Sequence, residues 1–181
     1  MPRIPVHSVQ DAPEQARQTL DGLAAKMGTV LNIHGEMAHS PVVLATYAAM
    51  QQAIAEHGSF DARTREAIAL PVGNQDGCDY CQSAHTLSAR KAGFSEQETV
   101  AIRAGQHDGD AKLPALLTLA RQLAGNVGEV DDAAWKQALD AGWSDTELVE
   151  LFAHVAANLY TNYFNHYAGT ELDIPPAPGL S

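Results

Sequence analysis

Five residues of this chain have the types and spacing for redox chemistry: Glu66, Cys78, Tyr80, Cys81 and His85. Both cysteines of the protein lie here with two residues between them, and the histidine follows the second by four. A helix turns about 100° per residue, which puts Cys81 about 60° and His85 about 20° from Cys78, so the three share a face. A free thiol ionises at about pH 8.5, and both the first turn of a helix and a nearby cation lower that value. One thiolate can therefore attack an oxidant and become a sulfenic acid. The second condenses with it, releasing water and leaving a disulfide. The CxxC spacing lets the sulfurs meet without a large backbone movement. His85 neighbours Cys81 one helical turn away, which makes Cys81 the attacking thiolate. Cys78, nearer the exposed helix start, resolves it and meets an external reductant. Glu66, on the preceding helix, accepts the proton through His85 or a water. Tyr80 either packs in the core or adds its hydroxyl to this relay.

Other readings of the pair compete. A structural zinc site needs four ligands, and neither a second CxxC nor an HxxxH is present. The other histidines, His7, His34, His39, His57, His107, His154 and His166, are scattered. No metal is expected, and no cofactor beyond the sulfurs themselves. Buried structural thiols are the plainest alternative. Thioredoxin also uses CxxC, but after a strand in a βαβ setting, whereas here a helix precedes it. His34 and His39, near the Ser40-Pro41 boundary, read as capping or surface groups.

The elements that must position these residues read as all-α. An amphipathic helix is expected over about 12–28, with Leu20, Leu23, Ala24 and Met27 on one side. Ser40 as N-cap and Pro41 at the first position open a second helix, running to about Glu56. A third begins near Asp61 and carries Glu66, and Pro71 should bend it or end it early. Asn74–Gly77 is a turn, and Cys78 opens a helix that runs to about Lys91. Further helices are expected at about 95–105, 112–124, 131–140 and 144–167. No stretch shows a strand's alternation. Ala92-Gly-Phe-Ser-Glu-Gln-Glu98 returns as Ala141-Gly-Trp-Ser-Asp-Thr-Glu147, an internal repeat. It reads as a duplicated helical unit or as two junctions that share one capping solution.

The last helix carries Asn158, Asn162 and Asn165 on one face, with His166 beside them among aromatics. Asparagine is a poor helix former, so a polar seam there suits a hydrogen-bonded interface or, less so, a pocket wall. After Thr170 the proline-rich tail, about 170–181, reads as an extended arm. The first 30 residues or so make an N-terminal arm and helix. Either terminal arm could lie on a neighbouring subunit or stay floppy.

With 181 residues, 45% of them hydrophobic, the chain reads as one globular domain over 1–181. A net charge of −11 argues against nucleic acid, which needs clustered Lys and Arg. No apolar run reaches the ~20 residues of a membrane span. The first residues lack a secretory signal's apolar stretch, so a cytoplasmic location is expected.

These residues resemble a family. Glu66, the run Cys78-Asp-Tyr80-Cys81 and His85 match in type and spacing the motif of alkylhydroperoxidase AhpD-like proteins, within the carboxymuconolactone decarboxylase family. Met1-Pro-Arg-Ile-Pro, Met37-Ala-His-Ser-Pro41 and Thr161-Asn-Tyr-Phe-Asn-His166 resemble its uncharacterised peroxidase-related branch, so the likeness covers nearly the whole chain. The resemblance implies an all-α fold of helical repeats, homo-oligomers such as trimers or hexamers, and reduction of a hydroperoxide by the thiol pair. It also implies Cys81 as the peroxidatic residue, Cys78 as the resolving one and Glu66 with His85 as the proton relay, with Tyr80 where the family has His or Tyr. The implied electron donor is a dithiol or a lipoylated adaptor protein. The family's decarboxylase branch works without a CxxC pair, so a non-redox lyase using His85, or a redox sensor without catalysis, are the alternatives.

Overall fold

The computed structural model describes residues 2–106 and 112–180. Met1 of the expected arm, Ser181 of the expected tail and His107 among the scattered histidines lie outside them. The described residues fold into helices, without a strand.

Nine helices follow in order among the described residues: α1 Glu14–Met27, α2 Asn32–Met37, α3 Pro41–His57, α4 Ala62–Gln75, α5 Asp79–Lys91, α6 Glu96–Ala104, α7 Lys112–Gly125, α8 Asp132–Asp140 and α9 Asp145–Ala168. The starts follow from the caps. Asp61 accepts the backbone N–H of Thr64, satisfying one of the orphan donors of the first turn of α4. Ser95 and Ser144 each form a complete capping box, with Glu98 and Glu147 respectively. The glycines two residues before them, Gly93 and Gly142, share a φ of 95°. The repeat seen in the sequence is thus one junction geometry used twice. Ser40 sits at the N-cap of α3 with Pro41 behind it, but its side chain makes no capping hydrogen bond.

Pro71 does not end α4 early. The helix runs on through Gln75, because residues 67–73 are all buried and α4 packs against α5, α6, α7 and α9. Burial on that scale outweighs one lost backbone hydrogen bond. Gly77 then reverses the chain with a φ of 64°, a left-handed conformation that side chains with a Cβ adopt at a cost of ~1–2 kcal/mol. The result is an antiparallel α4–α5 hairpin with the cysteines just past its turn.

Two apolar clusters flank that hairpin. One joins α4 to α6, α7, α8 and the first half of α9 through Ile68, Leu70, Ile102, Leu116, Leu119, Leu151 and Val155. The other joins α1, α2 and α3 through Leu20, Ile33, Met37 and Leu44, and includes Cys78, Tyr80 and Cys81. Tyr160 and Phe164 of α9 close over it. The short helix α2 had no periodic signature in the sequence.

Both arms lie on their own chain. The Arg3 backbone N–H donates to the carbonyl of Ala168 at 2.8 Å. The N-terminal arm then crosses α2 so closely that a Cβ on Gly35 would stand 2.4 Å from Val6 Cγ1. At the other end, Ile174 packs into the second cluster, Ala177 N–H donates to Ser83 Oγ at 3.0 Å, and Arg103 donates to the carbonyl of Pro178.

Glu150 of α9 ties down the segment that leads into α4. Its carboxylate accepts the backbone N–H of Ser59 at 2.8 Å and of Phe60 at 3.2 Å, and faces His154 Nε2 at 3.1 Å. Burial pushes its pKa up, but these hydrogen bonds outweigh that and hold it down at about 2 against an ordinary 4.5. The folded value is depressed, so the stabilisation is complete above the ordinary value and disappears as pH falls through about 2. Glu150→Ala is expected to cost about 3 kcal/mol at neutral pH. Urea unfolding of both proteins should show that gap at neutral pH and little of it near pH 2.

Candidate active site

The thiols stand at the start of α5. Cys78 is its N-cap, and the sulfur accepts the backbone N–H of Cys81 at 3.3 Å. The two sulfurs are 2.8 Å apart and not bonded as a disulfide. Asn165 of α9 donates its side-chain N–H to Cys81 Sγ at 3.2 Å and reaches Cys78 Sγ at 3.7 Å. Cys78 has its pKa lowered to about 7, first by the hydrogen bond from Cys81, against the burial penalty, and further by the Cys81 backbone, Asn165 and the charge of His166. Cys81 moves the other way, because its proton is held in that bond and because it is buried beside a thiolate. The pair thus gives up one proton readily and keeps the second.

Cys78 is 2% exposed and Cys81 3%. The expectation that Cys78 sits nearer an exposed helix start therefore fails, since α2, α9 and the tail cover that end of α5. Cys81, and not Cys78, lines a cavity of about 340 Å³. Volumes of ~300–1,000 Å³ are usual for small-molecule sites.

Glu66 and His85 line the same cavity. The His85 Nδ1–H donates to Glu66 Oε2 at 2.8 Å, with side chains 27% and 22% exposed. Burial lowers the His85 pKa, but the charge and hydrogen bond of Glu66, with a smaller contribution from Cys78, raise it above its ordinary value. No hydrogen bond joins His85 to Cys81 among the described residues; Asn165 donates to that sulfur, which in turn faces Thr161 Oγ1 as acceptor at 4.0 Å.

Of the two roles open to Tyr80, packing in the core is the one seen: the ring is buried in the second cluster. Its hydroxyl donates to Asp173 Oδ1 of the tail at 2.7 Å, while Asp173 Oδ2 accepts the backbone N–H of Asn32 at 2.8 Å. Burial and then Asp173 push its pKa up. Tyr80 is a pin between α5, α2 and the tail.

The asparagine face of α9 meets the hairpin turn. Asn162 donates to Asp76 Oδ2 at 2.7 Å, and His166 Nε2 to the carbonyl of Asp76 at 2.9 Å. Asn158 donates to the carbonyl of His154 at 2.8 Å. Asn158 and Asn165 line the cavity; Asn162 and His166 do not. The seam therefore serves both as an interface within the chain and as a cavity wall.

Sequence reasoning missed His34, Tyr47 and Arg65, which also line the cavity. His34 is not a surface group. It is 2% exposed, its Nδ1 has no hydrogen-bond partner among the described residues, and its ring lies 5.3 Å from that of Tyr47. Burial lowers its pKa to about 4, against a smaller opposing effect of Asp173, so the imidazole is neutral at physiological pH. Tyr47 is pushed up to about 12 by burial and by the charges of Cys81 and Glu66. Nothing local in the sequence marks these residues.

Residues 41–122 match the carboxymuconolactone decarboxylase family. That segment holds the thiols, the Glu66–His85 pair and the whole α4–α5 hairpin. The described residues have an all-α, AhpD-like fold.

A peroxidase-related protein with an alkylhydroperoxidase AhpD core from Ralstonia eutropha JMP134 superposes with a TM-score of 0.84 at 22% identity, covering 95% of this chain and 92% of that one. The debrominase Bmp8 superposes at 0.80 with 18% identity, covering 94% and 91%. A second peroxidase-related protein, from Silicibacter sp. TM1040, reaches 0.77 with 18% identity, covering 97% and 91%. No curated protein sequence matches the chain. Identities this low establish the fold alone.

Proposed function

We propose that this protein is a thiol-dependent hydroperoxide reductase. The observation that carries the reading is the meeting, in one cavity, of a reduced sulfur from a close thiol pair and a hydrogen-bonded Glu66–His85 couple. Cys78 holds the more acidic position, and Cys81 faces the substrate. As Cys81 attacks the peroxide, the Cys78 thiolate takes its proton across the 2.8 Å gap. The O–O bond breaks, one oxygen stays on Cys81 as a sulfenic acid, and the alkoxide leaves as an alcohol after taking a proton from His85. Glu66 holds His85 in its protonated form for that step. The Cys78 thiol then displaces hydroxide from the sulfenic acid, water leaves, and the disulfide closes. One peroxide and two thiols thus give one alcohol, one water and one disulfide.

A dithiol, free or on a lipoylated adaptor protein, reopens the disulfide. It has to enter through the cavity and attack Cys81, because Cys78 is covered. The protein works without a metal or an organic cofactor on this reading, in a reducing cytoplasm. An exposed apolar stripe on α9, with Val149, Phe152, Tyr163 and Tyr167, supports assembly of copies into trimers or hexamers.

The test is turnover of cumene hydroperoxide, hydrogen peroxide and a brominated pyrrole with a dithiol, in wild type and in a Cys78→Ser/Cys81→Ser double variant. The expected result is peroxide turnover that the double variant loses entirely. Activity that survives without either sulfur means a lyase using His85 instead. Turnover of the bromopyrrole alone moves the pair to debromination, the activity for which the Bmp8 neighbour is named.

A further inference from the structure

The cavity has two chemically different ends. Because α4 and α5 are antiparallel, their residues pair in reverse order. Gly73 stands opposite Cys81 and Gln82, Glu66 opposite His85, and Arg63 opposite Gly93. The thiols thus mark the turn end of the hairpin, and Arg65 with Ser88 mark its open end. Helix α9 keeps the same order, with Asn165 on Cys81 and His154 near Arg65, whose charge helps hold the His154 pKa down behind the larger effect of burial. Cys81 to Ser88 spans about 10 Å along α5 at ~1.5 Å per residue.

Arg65 is half-buried and is the one Lys or Arg lining this cavity among the described residues. Its guanidinium makes no hydrogen bond or salt bridge among them; Asp61 and His154 only feel its charge. The one carboxylate lining the cavity, Glu66, is held by His85. A guanidinium is a planar fork that binds a carboxylate through two parallel hydrogen bonds. The lining also includes apolar Leu31, Ile54, Ala69, Ala84 and Ala157, beside polar side chains such as Gln51 and Asn158. The chain as a whole carries −11 charges, so a cation without an ion-pair partner among the described residues stands against the general field. A phosphate dianion calls for more than one cation, and a monocarboxylate is matched by one.

We propose that the cavity binds a medium-chain carboxylic acid that carries its hydroperoxide at the far end, with the carboxylate on Arg65 and the peroxide at Cys81. This identification of substrate class rests on the peroxidase reading. Arg65 is then a specificity residue acting through ground-state and transition-state binding alike.

Two measurements separate the two ideas. In the first, kcat/KM is compared for an ω-hydroperoxy acid and its methyl ester, which differ only in the charge. Wild type should prefer the acid by about tenfold or more, the scale of one charge-assisted hydrogen-bonded pair. Arg65→Gln should bring the ratio to parity, and Arg65→Lys should restore part of it. Equal rates for acid and ester in wild type, or a preference that persists in Arg65→Gln, overturn the proposal. In the second, octanoate and methyl octanoate, which cannot be reduced, are titrated into the reduced protein by calorimetry. Binding of octanoate but not of its ester, lost in Arg65→Gln, supports the anion site even if no hydroperoxide is turned over. In that case only the peroxidase reading fails. Octanoate binding unchanged by Arg65→Gln, beside normal peroxide turnover, removes the carboxylate and leaves the peroxidase.

Discussion

Cys81→Ser abolishes hydroperoxide consumption, bringing it to the uncatalysed background, whereas Cys78→Ser keeps the first oxidation and loses the cycle. The two sulfurs are 2.8 Å apart, yet only Cys81 lines the cavity. A serine at position 81 offers a hydroxyl that neither ionises near neutral pH nor accepts the peroxide oxygen. The thiolate of Cys78 stays behind it, out of reach of a substrate in the cavity. In Cys78→Ser the ionised sulfur that holds the Cys81 proton, and so raises its pKa most, is replaced by a neutral hydroxyl. Cys81 can then ionise more readily, with Asn165 still donating to it at 3.2 Å. It should consume one equivalent of peroxide and stop as a sulfenic acid, which dimedone traps for mass spectrometry. A Cys81→Ser protein that still turns over, with dimedone adding to Cys78, reverses the roles.

The next largest effect is expected at the Glu66–His85 couple. His85→Ala should lower kcat/KM by about 10²–10³, within the ~10²–10⁴ range of general acid catalysis. The reason is the alkoxide, which on this account leaves with the proton that Glu66 keeps on His85. The rate should rise through about pH 7 as the thiol pair ionises, and fall on the alkaline side as His85 gives up its raised proton. Burial alone disfavours that proton, and Glu66 is what retains it. Glu66→Gln therefore shifts the alkaline limb to lower pH and leaves the acid limb where it was. Alkylation of the thiols by iodoacetamide across the same range reads the acid limb independently. An alkaline limb that does not move in Glu66→Gln removes this couple from the proton path.

Several parts of this structure are written locally in the sequence. The caps at Asp61, Ser95 and Ser144 and the cysteine that opens α5 are short-range patterns, and the helices start where those patterns put them. The nearness of the thiols and their shared face with His85 follow from helical spacing alone. What cannot be read locally is what distant segments bring. The Tyr80–Asp173 bond joins residues 93 positions apart, and the Asn165–Cys81 bond joins residues 84 apart. Neither has a periodic trace. For the same reason the sequence gives no sign that Cys78 is covered, that His34 is buried rather than capping, or that Arg65 faces a cavity. At Pro71 the early stop that the sequence allowed does not occur. Its local rule is sound, but α4 is buried over residues 67–73 and that tertiary context prevails.

The central claim is that two sulfurs act together on one peroxide, and a single-turnover experiment tests it most directly. Fully reduced protein is mixed with a limiting hydroperoxide in a stopped-flow instrument, and free thiols and alcohol are counted afterwards. The account predicts two thiols lost and one alcohol formed per peroxide, with a Cys78–Cys81 disulfide in the digest. Peroxide left intact while both thiols remain free, or alcohol formed without loss of thiol, contradicts it.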